Sequence, residues 1–210
     1  MTDSGNLSSI TLTDRLRKAF KWLIDPLAAF FNRLGVHPNA MTFAGLVGTV
    51  IGASFLAVDR VTIGGLIILV AAPFDVLDGS MARLRGEASR FGGFADSVTD
   101  RYAELFIFGG LLYNFLGKDD LLSCMVIFAA AAGSLMVSYV KARAESLQFE
   151  AKIGLLSRVE RYLVLVPCLV FNIPMIAVYI LAFFANFTAL QRIWHVRRQA
   201  YLPEPPSSKE

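Results

Sequence analysis

The sequence predicts an all-α membrane protein with six transmembrane helices preceded by an N-terminal amphipathic interfacial helix. Three observations carry that prediction. Of 210 residues, 55% are hydrophobic and 18% charged, too apolar a balance for an ordinary soluble domain and short enough for a single one. The apolar residues gather into runs close to the roughly 20 residues a bilayer requires. Lys and Arg concentrate at the ends of alternate runs, which is how topology is written. The net charge of +3 is modest, so its placement matters more than its size, and no nucleic-acid partner is expected.

Residues 1–9 are polar and no cleavable signal peptide is expected. Residues 10–33 set Ile10, Leu16, Phe20, Leu23, Leu27 and Phe31 near a helical period, with Arg15, Arg17, Lys18 and Lys21 elsewhere. That pattern suits a helix lying beside anionic headgroups. Pro26 is expected to bend it, Gly35 and Pro38 to close it, and Asn39 to cap the next helix. Spans are expected at about 40–58, 62–84, 93–116, 121–145, 157–173 and 174–194. Asn172, Ile173 and Pro174 alone separate the last two.

The domain reading is 1–36 as a cytoplasmic or interfacial helix, 37–200 as the transmembrane domain and 201–210 as a disordered tail, PEPPSSKE from Pro203. Arg83, Arg85, Arg90, Lys141, Arg143, Lys152, Arg158 and Arg161 lie in or beside one set of loops, with Arg60 and Lys118 alone in the opposite set. Positive-inside bias thus places both termini and the loop between the second and third spans on the cytoplasmic side of a cell membrane. Trp22 and Trp194 fit an interfacial aromatic belt. Cys124 and Cys168 are expected to be small core residues, and His37 and His195 interfacial polar groups rather than ligands. Gly48 and Gly52 form a G-x-x-x-G that can pack on another helix of this chain or of a partner.

The stretch FDVLDGSMARLRGEASRFGGFADSVTD, residues 74–100, breaks the apolar pattern with Asp75, Asp78, Asp96 and Asp100. Spacings of three and four put each pair on one helix face. Carboxylates at membrane depth demand compensation, and four of them can hold two hard cations through oxygen. With neither His nor Cys nearby, Mg²⁺ is expected, Mn²⁺ being the alternative. Two such ions, roughly 3.5 to 4 Å apart, clamp the attacking and leaving oxygens of a phosphoryl displacement. Gly79 would let a nucleotide approach the backbone, Ala82 keeps that face low, Arg83 supplies a cation for phosphate, and Gly92 would admit the same ligand. Small residues also serve helix packing, and buried acids also line ion pathways. A divalent-cation or proton-coupled transporter and a non-catalytic scaffold are therefore the alternative classes.

The pattern D-x-x-D-G-x-x-A-R, eight residues, G-x-x-x-D-x-x-x-D occupies Asp75, Asp78, Gly79, Ala82, Arg83, Gly92, Asp96 and Asp100. It resembles, without a departure, the signature of the CDP-alcohol phosphotransferase family of integral membrane enzymes. That resemblance implies attack by an acceptor hydroxyl on the β-phosphorus of a CDP-linked lipid, with release of CMP. It makes Asp75, Asp78 and Asp96 metal ligands. Asp100 becomes both a ligand or neighbour of the second metal and the general base. It also implies nucleotide contacts at Gly79, Arg83 and Ser89, and a further substrate-binding segment at Pro38 and Asn39 within GVHPNAMT. A homodimer is the family's expected assembly.

A second constellation bears on the acceptor. SYVKARAE (138–145), SRVER (157–161) and QR (191–192) look like the branch of the family that uses inositol phosphate, the phosphatidylinositol phosphate synthases of actinobacteria and the archaetidylinositol phosphate synthases. The resemblance makes Lys141, Arg161 and Arg192 leading ligands of the acceptor phosphate, followed by Arg158 and Arg143. Cations at three helix ends on one side of the membrane can converge on a soluble dianion, though topology alone also places Lys and Arg there. Where the branch carries E-R-P-E-R, this chain has Ser157, Arg158, Val159, Glu160 and Arg161. The implied reaction moves a phosphatidyl group from CDP-diacylglycerol to inositol phosphate. Its alternatives take glycerol 3-phosphate as acceptor or CDP-archaeol as donor.

Overall fold

Among the described residues, apolar runs interrupted by short polar turns give seven helices and no strand. They are α1 (Leu12–Arg33), α2 (Pro38–Ala57), α3 (Val61–Arg85), α4 (Arg90–Leu116), α5 (Leu121–Ser146), α6 (Arg158–Val170) and α7 (Pro174–Ala200). This computed structural model describes residues 12–87, 89–151, 153–154 and 156–201, without the side chains of residues 12–20 and 23. The tail from Pro203, Ile10, Lys152 and the side chains of Arg15, Leu16, Arg17, Lys18, Phe20 and Leu23 lie outside the described residues.

Local chemistry sets the helix ends. α1 continues through Pro26 and stops where Gly35 turns left-handed at φ +76°, its last carbonyls answered by the Gly35 and Val36 amides at 3.1 Å. Asn39 does not cap α2, contrary to expectation. The helix begins one residue earlier at Pro38, and His37 is its cap, Nδ1 accepting the Asn39 N–H at 3.3 Å. Proline at the first helical position has no N–H to satisfy, which makes this start favourable. Gly86 ends α3 at φ +68°. Ser89 caps α4 by accepting the Gly92 N–H at 2.9 Å. Asp120 caps α5 through the Ser123 amide and hydroxyl, bonds that hold its carboxyl below the usual carboxylate range. At α6 the Glu160 carboxylate accepts the Ser157 N–H, a start that needs no proline at position 159.

Small residues bring the helices together. A Cβ on Gly52 would stand 2.9 Å from the Gly64 carbonyl, and one on Gly64 would stand 2.6 Å from the Gly52 carbonyl. The Gly48/Gly52 pair therefore packs α2 against α3 of the same chain. Gly110 brings α4 onto the Ala53 carbonyl of α2, and Asn186 on α7 donates to Ala129 O of α5 at 2.9 Å. Leu56, Ile68, Ile107, Leu111, Leu165 and Leu181 lie fully buried in the cluster at the centre of these contacts. Cys124 is buried and Cys168 half-buried, both as free thiols. At one end, Asn114 bonds Leu56 O at 2.9 Å and Asp59 at 3.1 Å, while Lys118 meets Asp59 at 2.6 Å. Bonds from Lys118 and Asn114 hold the Asp59 carboxyl low.

Among the described residues, four helices, α2, α3, α5 and α7, are long and apolar enough to cross a bilayer. The two remaining members of the expected six differ for separate reasons. α4 spans 27 residues but carries Asp96, Asp100, Arg101 and Glu104. α6 has only 13 residues, about 20 Å at 1.5 Å per residue against a hydrocarbon core of about 30 Å. Both helices bring charged side chains against the acidic residues of α3 or against each other.

Two neighbouring glycines on α4 test the packing. A Cβ at Gly110 runs into the Ala53 carbonyl, whereas one at Gly109 meets nothing within 4 Å. Gly110→Ala should destabilise the protein by about 1–3 kcal/mol. Gly109→Ala should leave the melting temperature in detergent unchanged or slightly raised, because it restricts only the unfolded chain.

Candidate active site

Asp75 and Asp78 project from the last turns of α3, and Asp96 and Asp100 from the first turns of α4, on either side of the turn after Gly86. The turn reverses the chain and brings the two acidic faces together. One oxygen each from Asp75, Asp78 and Asp96 lies within 4.8 Å of the others. Asp78 is 6% exposed, and Thr42 on α2 donates its hydroxyl proton to Asp78 Oδ2. Asp96 Oδ1 is buried with no hydrogen-bond partner. Three convergent carboxylates and one orphaned oxygen are a donor set for a hard divalent cation. His37 and His195 take no part in it.

Asp100 stands outside that group of three. Its carboxylate meets Arg158 Nη1, which also donates to Asp75 Oδ2 at 2.6 Å. Arg158, from the first turn of α6, thus joins both acidic helices, and its guanidinium lies 5.6 Å from the Tyr162 ring centre. One turn further along both helices, Arg161 and Glu104 form a second pair through Nε at 2.6 Å and Nη2 at 2.9 Å. This pair is buried, Arg161 at 1% and Glu104 at 5% exposure.

The residues expected around a nucleotide lie at the same end. Pro38 is buried at the head of α2 and Asn39 exposed beside it. Gly79 and Ala82 are half-buried on α3; Arg83 is exposed and donates to Ser80 at 2.8 Å. Ser89 accepts from Gly92 but keeps its own proton to donate. A Cβ on Gly92 would stand 3.1 Å from that hydroxyl.

The expected acceptor residues divide. Arg161 reaches Ser138 at 3.5 Å, and Arg192 donates to Val137 O at 2.6 Å and to Ile153 O at 2.8 Å. The two arginines therefore address consecutive residues of α5, one turn before Lys141. Lys141 pairs with Glu145 at 3.8 Å on a half-exposed face. Arg143 is exposed, and Arg158 belongs to the acidic site. Thr42 and Glu104 went unmarked in the sequence. Each had a signal: Thr42 lies one helical turn after Pro38, and Glu104 continues the four-residue series from Asp96 and Asp100.

Comparison with known proteins places this geometry. The sequence model of the CDP-alcohol phosphatidyltransferase family matches residues 35–196. A phosphatidylinositol phosphate synthase of Streptomyces avermitilis is 36% identical, over 88% of this chain and 82% of its own. An archaetidylinositol phosphate synthase of Pyrococcus horikoshii is 31% identical over 90% and 98% respectively. The crystal structure of the Mycobacterium tuberculosis phosphatidylinositol phosphate synthase with CDP-DAG bound superposes with a TM-score of 0.77 at 27% identity, covering 82% of this chain and 92% of that one. Its complex with manganese and citrate gives 0.74 at 26%, covering 89% and 92%.

The buried pair makes a stability prediction. Glu104→Ala and Arg161→Ala should each cost about 3–5 kcal/mol, because each leaves a buried charge without its partner. The double variant Glu104→Leu with Arg161→Met should recover most of that loss, read as thermal unfolding in detergent.

Proposed function

We infer the reaction from one premise: the chain belongs to the CDP-alcohol phosphatidyltransferase family. It is a membrane enzyme that transfers a phosphatidyl group from CDP-diacylglycerol to inositol phosphate and releases CMP, as its named relatives indicate. The observation that carries the reading is the meeting of Asp75, Asp78 and Asp96 within 4.8 Å of one another, with the other motif residues on the same two helices, α3 and α4. A transporter would have no need of Gly79, Ala82 and Arg83 beside its acids.

In this reading Asp75, Asp78 and Asp96 hold divalent cations, Mg²⁺ in preference to Mn²⁺, with Asp100 beside a second ion. When bound, such ions offset the charge of the pyrophosphate and clamp attacking and leaving oxygens. Thr42 fixes the rotamer of Asp78 by its hydrogen bond. Pro38, Asn39, Gly79, Ala82, Arg83, Ser89 and Gly92 form the donor site, where low side chains admit the cytidine diphosphate and Arg83 meets its phosphates. The acceptor hydroxyl forms a bond to the β-phosphorus, the bond from that phosphorus to the α-phosphate bridging oxygen breaks, and CMP leaves. Asp100 accepts the hydroxyl proton as general base.

Lys141, Arg161 and Arg192 form the acceptor-phosphate pocket. Its support is that Arg161 and Arg192 reach adjacent α5 residues one turn before Lys141. Arg158 stands between this pocket and the carboxylates, while Arg143 lies outside. α2 to α7 make six spans, with α4 and α6 lining a polar cavity open to the cytoplasm. α1 lies in the interface as an amphipathic helix, residues 1–36 and 37–200 are the two functional segments, and both termini are cytoplasmic. The working assembly is a homodimer.

An acceptor panel of inositol phosphate, inositol, glycerol 3-phosphate and serine, assayed with CDP-diacylglycerol and Mg²⁺, tests the reaction. CMP release should require inositol phosphate; release with glycerol 3-phosphate instead would reassign the acceptor. Asp100→Asn should lower CMP release roughly 10²- to 10⁴-fold with the circular dichroism spectrum unchanged. Lys141→Ala should raise the KM for inositol phosphate and leave the KM for CDP-diacylglycerol alone. Equal acceptor kinetics in that variant would remove Lys141 from the pocket.

A further inference from the structure

We propose that Arg85 and Asn32 are positioning residues for the CDP-lipid donor, locking the head of α2 to the motif helix α3 and so setting the gap that receives the cytidine diphosphate. The inference rests on the donor site proposed above. In the sequence Arg85 is one of several cations that mark the cytoplasmic side, but its side chain is 22% exposed and turned inward.

Arg85 Nε donates to Asn32 Oδ1 at 2.7 Å, and Nη2 donates to Val36 O at 2.7 Å and to Asn32 O at 3.4 Å. Asn32 returns the contact by donating Nδ2 to Met81 O of α3 at 3.2 Å. Val36 is two residues before Pro38, and from there α2 runs to Thr42, whose hydroxyl meets Asp78. Arg85 is two residues beyond Arg83 and six beyond Gly79. The contacts therefore close a ring: Asn32 and Val36 lead to Pro38 and Thr42, across to Asp78, along α3 past Gly79 and Arg83, and back through Arg85. The α2 and α3 walls of the donor site belong to that ring.

Apolar packing of Ala28, Met41, Leu77 and Met81 lies beneath it. Such packing holds α1 against α3 but is non-directional and sets no register. The planar guanidinium fork does, because its nitrogens answer a side-chain oxygen and a main-chain carbonyl in one fixed geometry. Lysine in the same place keeps the charge that topology needs but offers a single nitrogen. The position thus separates a topological role from a positioning one.

The test measures CDP affinity by calorimetry, and the KM for both substrates, on the full chain purified in detergent. Arg85→Lys and Asn32→Leu should weaken CDP binding and raise the KM for CDP-diacylglycerol about five- to tenfold. The KM for inositol phosphate should stay within about twofold of the parent, since that pocket is built on other helices. Asn32→Asp, which keeps an oxygen for Arg85 Nε but gives up the Nδ2 donor to Met81 O, should recover most of the donor affinity lost in Asn32→Leu. Variants that bind CDP as tightly as the parent, or that raise both KM values in parallel, would overturn the brace alone. A parent that binds no CDP would overturn the donor-site reading and the brace with it. A parent that binds CDP but ignores inositol phosphate would overturn only the acceptor, leaving the brace to be judged on CDP affinity.

Discussion

Carboxylates gathered on two adjoining helices of a membrane protein repel one another, and the rest of this structure is arranged around that repulsion. Asp75, Asp78 and Asp96 bring oxygens within 4.8 Å of each other, a separation at which three anions in a weakly polarisable setting need cations among them. The chain meets part of that need itself. α6 is too short to match its neighbours in length, yet its first turn carries Arg158 to Asp75 and Asp100, and its second carries Arg161 to Glu104. The start of α6 brings its basic first turn to where the charge lies. The remaining need, marked by the orphaned Asp96 oxygen, is one that a divalent cation would meet.

The tight packing elsewhere follows from the same requirement. A cation site of this kind works only if its ligands are held to a fraction of an ångström, and helices in a membrane gain no hydrophobic drive toward one another. Gly52 on Gly64, Gly110 on Ala53 and Gly133 beside Asn186 allow close backbone approach instead. α2 thereby meets both α3 and α4, the helices that share the acidic residues, and lends them Thr42. The opposite end is tied by Asn114, Lys118 and Asp59. Polar contacts thus hold both ends of the α2, α3 and α4 group, with apolar packing between.

Much of this was legible in the sequence. Eight motif positions at fixed spacing identified the acidic centre, and apolar run lengths located all six helices after α1. What escaped has definable causes. Asn39 looked like a cap because asparagine favours that role, but the proline before it made a better first helical residue, and His37 took the cap. The G-x-x-x-G of α2 announced close packing without saying on what; its partner proved to be Gly64 in the same chain. Arg161 and Arg192 were legible as cations at helix ends, but only the folded chain reveals that Glu104 stands opposite the first and the Val137 and Ile153 carbonyls opposite the second. Arg85 was hidden by company, one positive charge among many whose placement topology already explained.

The central claim is that the α3 and α4 carboxylates form a divalent-metal centre. Mn²⁺ binding to the purified protein, followed by electron paramagnetic resonance, tests it most directly, because it reads the site without any substrate. The parent should bind Mn²⁺ at specific sites from which Mg²⁺ displaces it, and Asp78→Asn or Asp96→Asn should abolish that binding while the helical spectrum persists. Mn²⁺ binding that is equally strong in the parent and in both variants would contradict the account.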